Sequence, residues 1–569
     1  MKITVKLIIT AFAVLIMSHL PVAGQYRDHA TLSRDMSSLA KANPALCEFK
    51  LLVKTEGGKD IYVLTIGTGE KNSKPGIAVL GGIEGSHLLG REIAAGFAEN
   101  ILKNANSPEV KDLLSKVTFY VMPDLSPDAS EQYFASTKFE RNWNNRNVDL
   151  DRDFKTGEDP FEDLNKDGFI TLIRVHDPDG THAESADDQR IMTAVDFSRG
   201  EKGKYFIYSE GIDNDDDGTF NEDGPGGVNF NNNWTYNYQE FGRYAGRHAA
   251  SEPETKAVAD FLYDHWNIFA SIAFGPQDNL VQTGRVSAGP STGGAAGGQA
   301  PMQAAAFGGR GGAAAATTTA TATTDRNTIA ISRADEITNR LVSEKYVAKT
   351  GLRGTPPAAS ARGNFMEWAY FHYGRFSYST PGWWPAIERG RNNEAAFLKY
   401  AEENKLGDVF VPWTEVKHPG FPDKKVEVGG IKPFVMINPP ADKVTAIVTT
   451  NYEFIRDLAA LHPQIEVKDL KVENTGGDIY RVTLRIHNRG LFPTIAEMGA
   501  RNRFVRLPRV ALTIDPKQTI ITGTRVQQMA RIEGYGTVEY SWLIRGKGAV
   551  TIKAGDINCG SFTVKADLK

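Results

Sequence analysis

Apolar runs of strand length, alternating with amphipathic helical stretches, set the strongest limit on how this chain can fold. Between about residues 26 and 463 they include "KPGIAVLGGI", "REIAAGFAENILKNA", "KVTFYVMPDLSP", "SEPETKAVADFLYDHWN" and "IFASIAFG". Such alternation predicts an α/β domain with a mostly parallel or mixed sheet. Ligands on sheets of this kind bind beyond the carboxyl ends of the strands. The stretch "GGIEGSHLLGRE", residues 81–92, lies at one such end and sets Glu84 and His87 three residues apart ahead of a helix. A Glu and a His in that place form a candidate metal pair.

With 569 residues the chain can bury a large core and form more than one domain. Its net charge of −4 argues against a general nucleic-acid binder. The opening "MKITVKLIITAFAVLIMSHLPVAGQ" has lysines, an apolar run and then small residues. That order predicts a secretory signal over 1–24, and export to a periplasm or the cell exterior. No other segment is apolar enough to span a bilayer. Cys47 and Cys559 are the only cysteines and sit at opposite ends, so no disulfide framework is expected.

The last helix of the α/β part, "EFIRDLAALHP", ends near Pro463. Short alternating runs follow, among them "IYRVTLRIHNRG", "RVALTI", "TVEYSWLIRG" and "AVTIKAG". They predict an antiparallel β-sandwich over 464–569, leaving 25–463 to the α/β domain. Residues 286–326 are a low-complexity Gly/Ala/Thr stretch, read as a loop. Residues 149–224 are rich in Asp and Gly. "DLNKDGFIT" offers Asp163, Asn165 and Asp167, and "DNDDDGTFNEDG" offers Asp213, Asp215 and Asp217. Oxygen donors alternating around a glycine can wrap calcium, so these six are candidate ligands of a structural Ca2+. "DLDRDFKTGED" repeats the spacing with Asp149, Asp151 and Asp153, but has Phe154 where the glycine belongs. The other reading of all three is a solvated acidic turn.

Four stretches, in order, resemble the zinc carboxypeptidase family, the carboxypeptidase A type of metallopeptidase. "GGIEGSH" resembles its glycine turn carrying His-x-x-Glu, and "GGVNFNNNW" is similar to its "GVDxNRNW" segment. "SIAFGPQDNL" resembles the strand ending in "FHSxGNL", and "SARGNFMEWAYFHYGRFSYSTPGWW" the "SGGSxDWAY…YSFTFEL" region. The resemblance spans about residues 30–460, and the acidic loops and sandwich resemble insertions of large bacterial members. It implies a carboxypeptidase-like mixed sheet flanked by helices. It also implies zinc on two His and one Glu, which lowers the pKa of bound water to about 7. A Glu base and arginines that hold the oxyanion and the substrate carboxylate complete the implied site.

Position by position, the match departs from that pattern. The family's first His falls on Glu84 and its Glu on His87, so the two types are exchanged. The second His falls on Gly275, the Arg of the "NR" pair on Asn232, and the catalytic Glu on Pro381. No counterpart of the substrate-binding tyrosine occurs in "GTPPAASA". Arg141 and Arg146 are the candidates for a surviving substrate-binding arginine. A general base contributes about 10²–10⁴ in rate and one oxyanion donor about 10²–10³, so these losses cripple the usual chemistry. The sequence thus predicts an exported, catalytically inactive family member that binds peptides or serves as scaffold. The alternative is an active carboxypeptidase whose zinc site is rebuilt from Glu84, His87 and Asp278. A third reading is a structural exported protein in which the loops and sandwich do the work. Asp278 otherwise reads as a turn cap, and His265 and Glu367 as helix residues. The cluster Phe371, Tyr373, Phe376, Tyr378, Trp383 and Trp384 reads as core, the two tryptophans also as a candidate cleft floor.

Overall fold

The computed structural model describes residues 26–150, 154–216, 218–221, 224, 226–282, 331–354, 362–387 and 392–569. The predicted signal at 1–24, the low-complexity stretch at 286–326, and Asp151, Asp153 and Asp217 lie outside the described residues.

The chain opens with α1 (His29–Ala42), β1 (Cys47–Lys54), β2 (Asp60–Ile66), β3 (Gly76–Leu80) and α2 (Leu88–Lys103). Then come α3 (Pro108–Lys116), β4 (Thr118–Met122), α4 (Pro127–Ser130), β5 (Leu172–His176), β6 (His182–Glu184), β7 (Met192–Ala194) and β8 (Tyr205–Ser209). The next elements are α5 (Pro253–Asp264), β9 (Ile268–Phe274), α6 (Arg333–Thr350), α7 (Phe365–Phe371) and β10 (Phe376–Thr380). The α/β part closes with α8 (Asn393–Glu403), β11 (Phe410–Val416), β12 (Val426–Ile431) and α9 (Ala441–Ala460).

The main sheet has the order β1-β2-β4-β3-β9-β10. β4, β3, β9 and β10 run parallel, while β1 and β2 join antiparallel, so the sheet is mixed as expected. Its central strand shows why the run "GIAVL" is apolar throughout. Ile77 and Val79 enter the core cluster on one face, and Ala78 and Leu80 the cluster on the other. A strand covered on both faces has no solvent side to keep polar. α2 places Leu89, Ile93, Phe97 and Ile101 in the first of these clusters, a spacing of four that keeps them on one helix face. The aromatic cluster read from residues 371–384 is buried.

The stretch from 149 to 224 holds more than the acidic turns read there. β5, β6, β7 and β8 join β11 and β12 in a second six-stranded sheet, ordered β11-β12-β5-β8-β6-β7. In β5, Ile173 and Val175 are buried while Leu172, Arg174 and His176 are half-buried. This period-two pattern is legible in "LIRVH", but the surrounding Asp and Gly turn signals obscure it.

From Ile465 the chain forms β13 (Ile465–Gly476), β14 (Ile479–Asn488), the short α10 (Glu497–Asn502), β15 (Arg509–Thr513) and β16 (Thr519–Thr522). β17 (Val526–Gln528), β18 (Thr537–Arg545), β19 (Gly548–Asp556) and β20 (Gly560–Leu568) complete it. Two four-stranded antiparallel sheets, β13-β14-β18-β16 and β17-β15-β19-β20, enclose one core that includes Val482, Leu484, Val510, Trp542 and Ile552. This is the predicted β-sandwich, with α10 as an element the alternation did not foretell. Asp335 of α6, fully buried, ties it to the α/β part. Its carboxylate meets Arg531 Nη1 at 2.7 Å and accepts from Tyr370 Oη at 2.8 Å and Glu497 N at 3.1 Å.

Candidate functional site

Parallel strands point the same way, so the loops leaving β3, β9 and β10 meet at one edge of the main sheet. The turn 81–87 follows β3, Gly275 follows β9 directly, and Pro381 follows β10 directly. Gly275 N donates to Thr380 O at 3.1 Å, joining the second and third of these loops. The fold therefore gathers the positions that the sequence singled out.

Glu84 is buried, and both its oxygens are occupied. Asn229 Nδ2 donates to Oε2 at 3.0 Å, and Asn231 Nδ2 donates to Oε1 at 2.9 Å. Neither amide is free to turn over. Asn229 Oδ1 accepts from Asn231 N at 2.7 Å, and Asn231 Oδ1 accepts from Phe365 N at 3.0 Å. Asn231 Nδ2 also donates to Gln277 Oε1 at 2.7 Å. Burial raises the Glu84 carboxyl to about 7, against the pull of the two amide donors.

His87 occupies the N-cap of α2, but its side chain makes no capping bond. Its N–H donates to Glu84 O at 3.1 Å. Burial lowers the imidazole to about 4, with the carbonyls of Pro381 and Phe274 acting in the opposite direction. Those carbonyls face the ring, yet neither ring nitrogen completes a hydrogen bond of ordinary geometry. Gly90 makes this approach feasible, because a Cβ there would lie 2.9 Å from His87 Nδ1 and 2.5 Å from Phe274 O. The turn is also clamped from outside. Ser86 N donates to Asn142 Oδ1 at 2.8 Å, and Asn438 Nδ2 donates to Ser86 O at 2.9 Å.

Zinc needs three protein donors with free lone pairs in a catalytic site. Gly275 supplies no side chain, and a Cβ built on it would lie 2.5 Å from Ile83 Cδ1 and 2.7 Å from Ile83 Cγ1. Asp278, the alternative third ligand, faces its own loop and accepts from Val281 N at 3.0 Å and Gln282 N at 2.7 Å. His265 ends α5, where its Nδ1 meets Phe261 O at 2.6 Å. Among the described residues no group of three or more His, Cys, Asp or Glu side chains is arranged to hold a metal ion. The residues present do not fit zinc.

Arg141 and Arg146 both hold protein partners. Arg141 Nε donates to Trp143 O at 2.9 Å and Nη2 to Asn144 O at 2.9 Å, and it also bonds Asn145. Burial lowers this guanidinium to about 10. Arg146 pairs with Glu252 at 2.7 Å and with Glu56 at 2.6 Å. Asn232, the family's arginine position, closes a short turn at 229–232, and it is Asn229 and Asn231 beside it that reach Glu84. These two, with Gln277, are the site residues that sequence reasoning missed. The run "NFNNNW" was the signal for Asn229 and Asn231.

In the first acidic loop, Asp163 accepts from Asp167 N at 3.1 Å and Gly168 N at 2.8 Å, and Asn165 Oδ1 accepts from Asp167 N at 3.0 Å. Asp167 accepts from Phe169 N at 2.8 Å. In the second loop, Asp213 accepts from Gly218 N at 2.9 Å, with Asp215 between them. These are turns closed by their own side chains.

The sequence profile of the zinc carboxypeptidase family matches residues 32–214 and 170–382, together more than half of the chain. The chain belongs to the zinc carboxypeptidase family. A profile of a domain of unknown function matches residues 464–566. This zinc carboxypeptidase-family chain is 27% identical to carboxypeptidase E of Caenorhabditis elegans over 155 residues, 26% of this chain and 33% of that protein. It is 28% identical to carboxypeptidase D of Rattus norvegicus over 141 residues, 24% of this chain and 10% of that one. The chain thus spans a third or less of the curated relatives it matches first. Among solved structures, thrombin activatable fibrinolysis inhibitor superposes with a TM-score of 0.40 at 13% identity, over 77% of this chain and 74% of that one. Carboxypeptidase A from Helicoverpa armigera gives 0.40 at 12% identity, with the same coverage of 77% and 74%.

Proposed function

We propose that this family member does not hydrolyse peptides through zinc, and that its cleft holds a peptide-like ligand or serves as a rigid scaffold. One observation carries the reading: both Glu84 oxygens accept fixed amide N–H groups, while Ile83 lies where a side chain at 275 would stand. Pro381 holds the family's base position and cannot move a proton. Export through a signal at 1–24 and a sandwich domain from 464 belong to the same proposal. The matched profile over 464–566 supports that boundary. No helix among the described residues is long and apolar enough to cross a membrane.

The test is elemental analysis of the purified chain, combined with release of C-terminal residues from a peptide library. The expected result is zinc well below one equivalent and no chelator-sensitive release. One equivalent of zinc, with turnover that disappears in His87→Ala, would overturn the proposal.

A further inference from the structure

A catalytic metal joins side chains from separate loops and so also fastens those loops together. Here the same loops are fastened without one. Glu84 comes from the turn after β3, Asn229 and Asn231 from the short turn at 229–232, and Gln277 from the loop after β9. Asn231 Oδ1 carries the chain of bonds on to Phe365 N at the start of α7. Four segments, far apart in sequence, therefore converge on two side chains, Glu84 and Asn231.

We infer that Glu84 and Asn231 form a metal-free brace that has taken over the loop-fastening role of the zinc position, with Ile83 closing the third-ligand space. The inference rests on the proposed loss of zinc chemistry, but it makes a separate claim. The site is not merely missing ligands: it has been refilled, and the filling is needed for the fold. The geometry sets a demanding condition on position 84. Both amide groups present N–H to it, and both are held in that orientation by backbone N–H groups on their oxygens. Position 84 must therefore offer two acceptors. A glutamine of the same shape has one oxygen, and its NH2 would confront an NH2. Asn231→Ala would remove the same link from the other end. The side chain of Ile83 sets the second condition. A histidine at 275 would need space that Ile83 fills within a close-packed core.

The test uses the full chain in thermal melts. Glu84→Gln and Asn231→Ala are each expected to lower Tm by about 1–3 °C, the scale of one or two lost buried hydrogen bonds in a chain of this size. The double variant is expected to fall no further than the worse single one, because both remove one network. An unchanged Tm for Glu84→Gln, or fully additive losses, would overturn the brace. A second arm restores the ligand types with Glu84→His, His87→Glu and Gly275→His, and measures zinc uptake by equilibrium dialysis. The triple variant is expected to bind zinc at least tenfold more weakly than the same variant carrying Ile83→Ala. Equal binding by the two would remove Ile83 from the account. Should the triple variant not fold, the melts still decide. Zinc uptake with turnover in the unaltered chain would instead refute the proposed function, whatever the melts show.

Discussion

Glu84 and Asp163 are both carboxylates that accept amide N–H groups, yet they do opposite amounts of work. Glu84 accepts from side chains 145 and 147 residues away and is buried beneath the sheet edge. Asp163 accepts from backbone groups four and five residues ahead, in a turn open to solvent. The chemistry is alike and the reach is not. A bond that spans the chain holds packed layers in register and leaves buried donors stranded when it is lost. A bond that closes a turn competes with water at either end, so its loss costs little.

The largest expected effect comes from breaking the long-reach case. Glu84→Ala strands one Nδ2–H each of Asn229 and Asn231, and urea unfolding should show a loss of about 3 kcal/mol, the scale of leaving buried polar groups unpaired. A loss below about 1 kcal/mol would mean the two regions do not differ.

Glu254 sharpens the comparison, being buried like Glu84 but held by one side-chain donor, Asn144 Nδ2, at 2.7 Å. Its Oε2 has no partner, and burial raises the carboxyl from 4.5 to about 7. Between those values the folded chain holds a proton that the unfolded chain has lost. Its contribution to stability is therefore fully present below 4.5 and declines as pH rises through about 7. Glu254→Gln should flatten that decline by about 2 kcal/mol between pH 5 and 7.5, read from urea midpoints at the two pH values. An unchanged slope would place the carboxyl in a wetter setting than its burial implies.

The smallest effect belongs to the turn. Asp163→Ala should cost about 1 kcal/mol or less, as a lost local side-chain bond does. Millimolar Ca2+ should move the melting temperature of neither this variant nor the unaltered chain. A calcium-dependent rise of several degrees that Asp163→Ala abolishes would turn this turn into an ion site.

Much of this arrangement is legible in the residues themselves. The strand-to-helix alternation foretells the main sheet, and the order of motifs leads to Glu84, His87, Gly275 and Pro381, which the parallel strands bring to one edge. The amide brace is harder to read. Asn229, Asn231 and Gln277 carry no charge and match no ligand pattern, so a comparison with the lost arginine at 232 passes over its neighbours. Ile83 escapes for another reason: what a side chain fills depends on the strand beside it, and β9 lies far along the chain. The second sheet is hidden by composition, because Asp and Gly mark turns more loudly than five-residue strands mark themselves.

The buried pairing of Asp335 with Arg531 bears on how the whole molecule comes apart. A fully enclosed negative charge in the α/β part is paired, at 2.7 Å, with a cation of the sandwich. Detaching the sandwich would leave that charge uncompensated in a poorly hydrated place, a penalty of several kcal/mol. The two parts are thus bound to lose their structure in concert, although each encloses a core of its own.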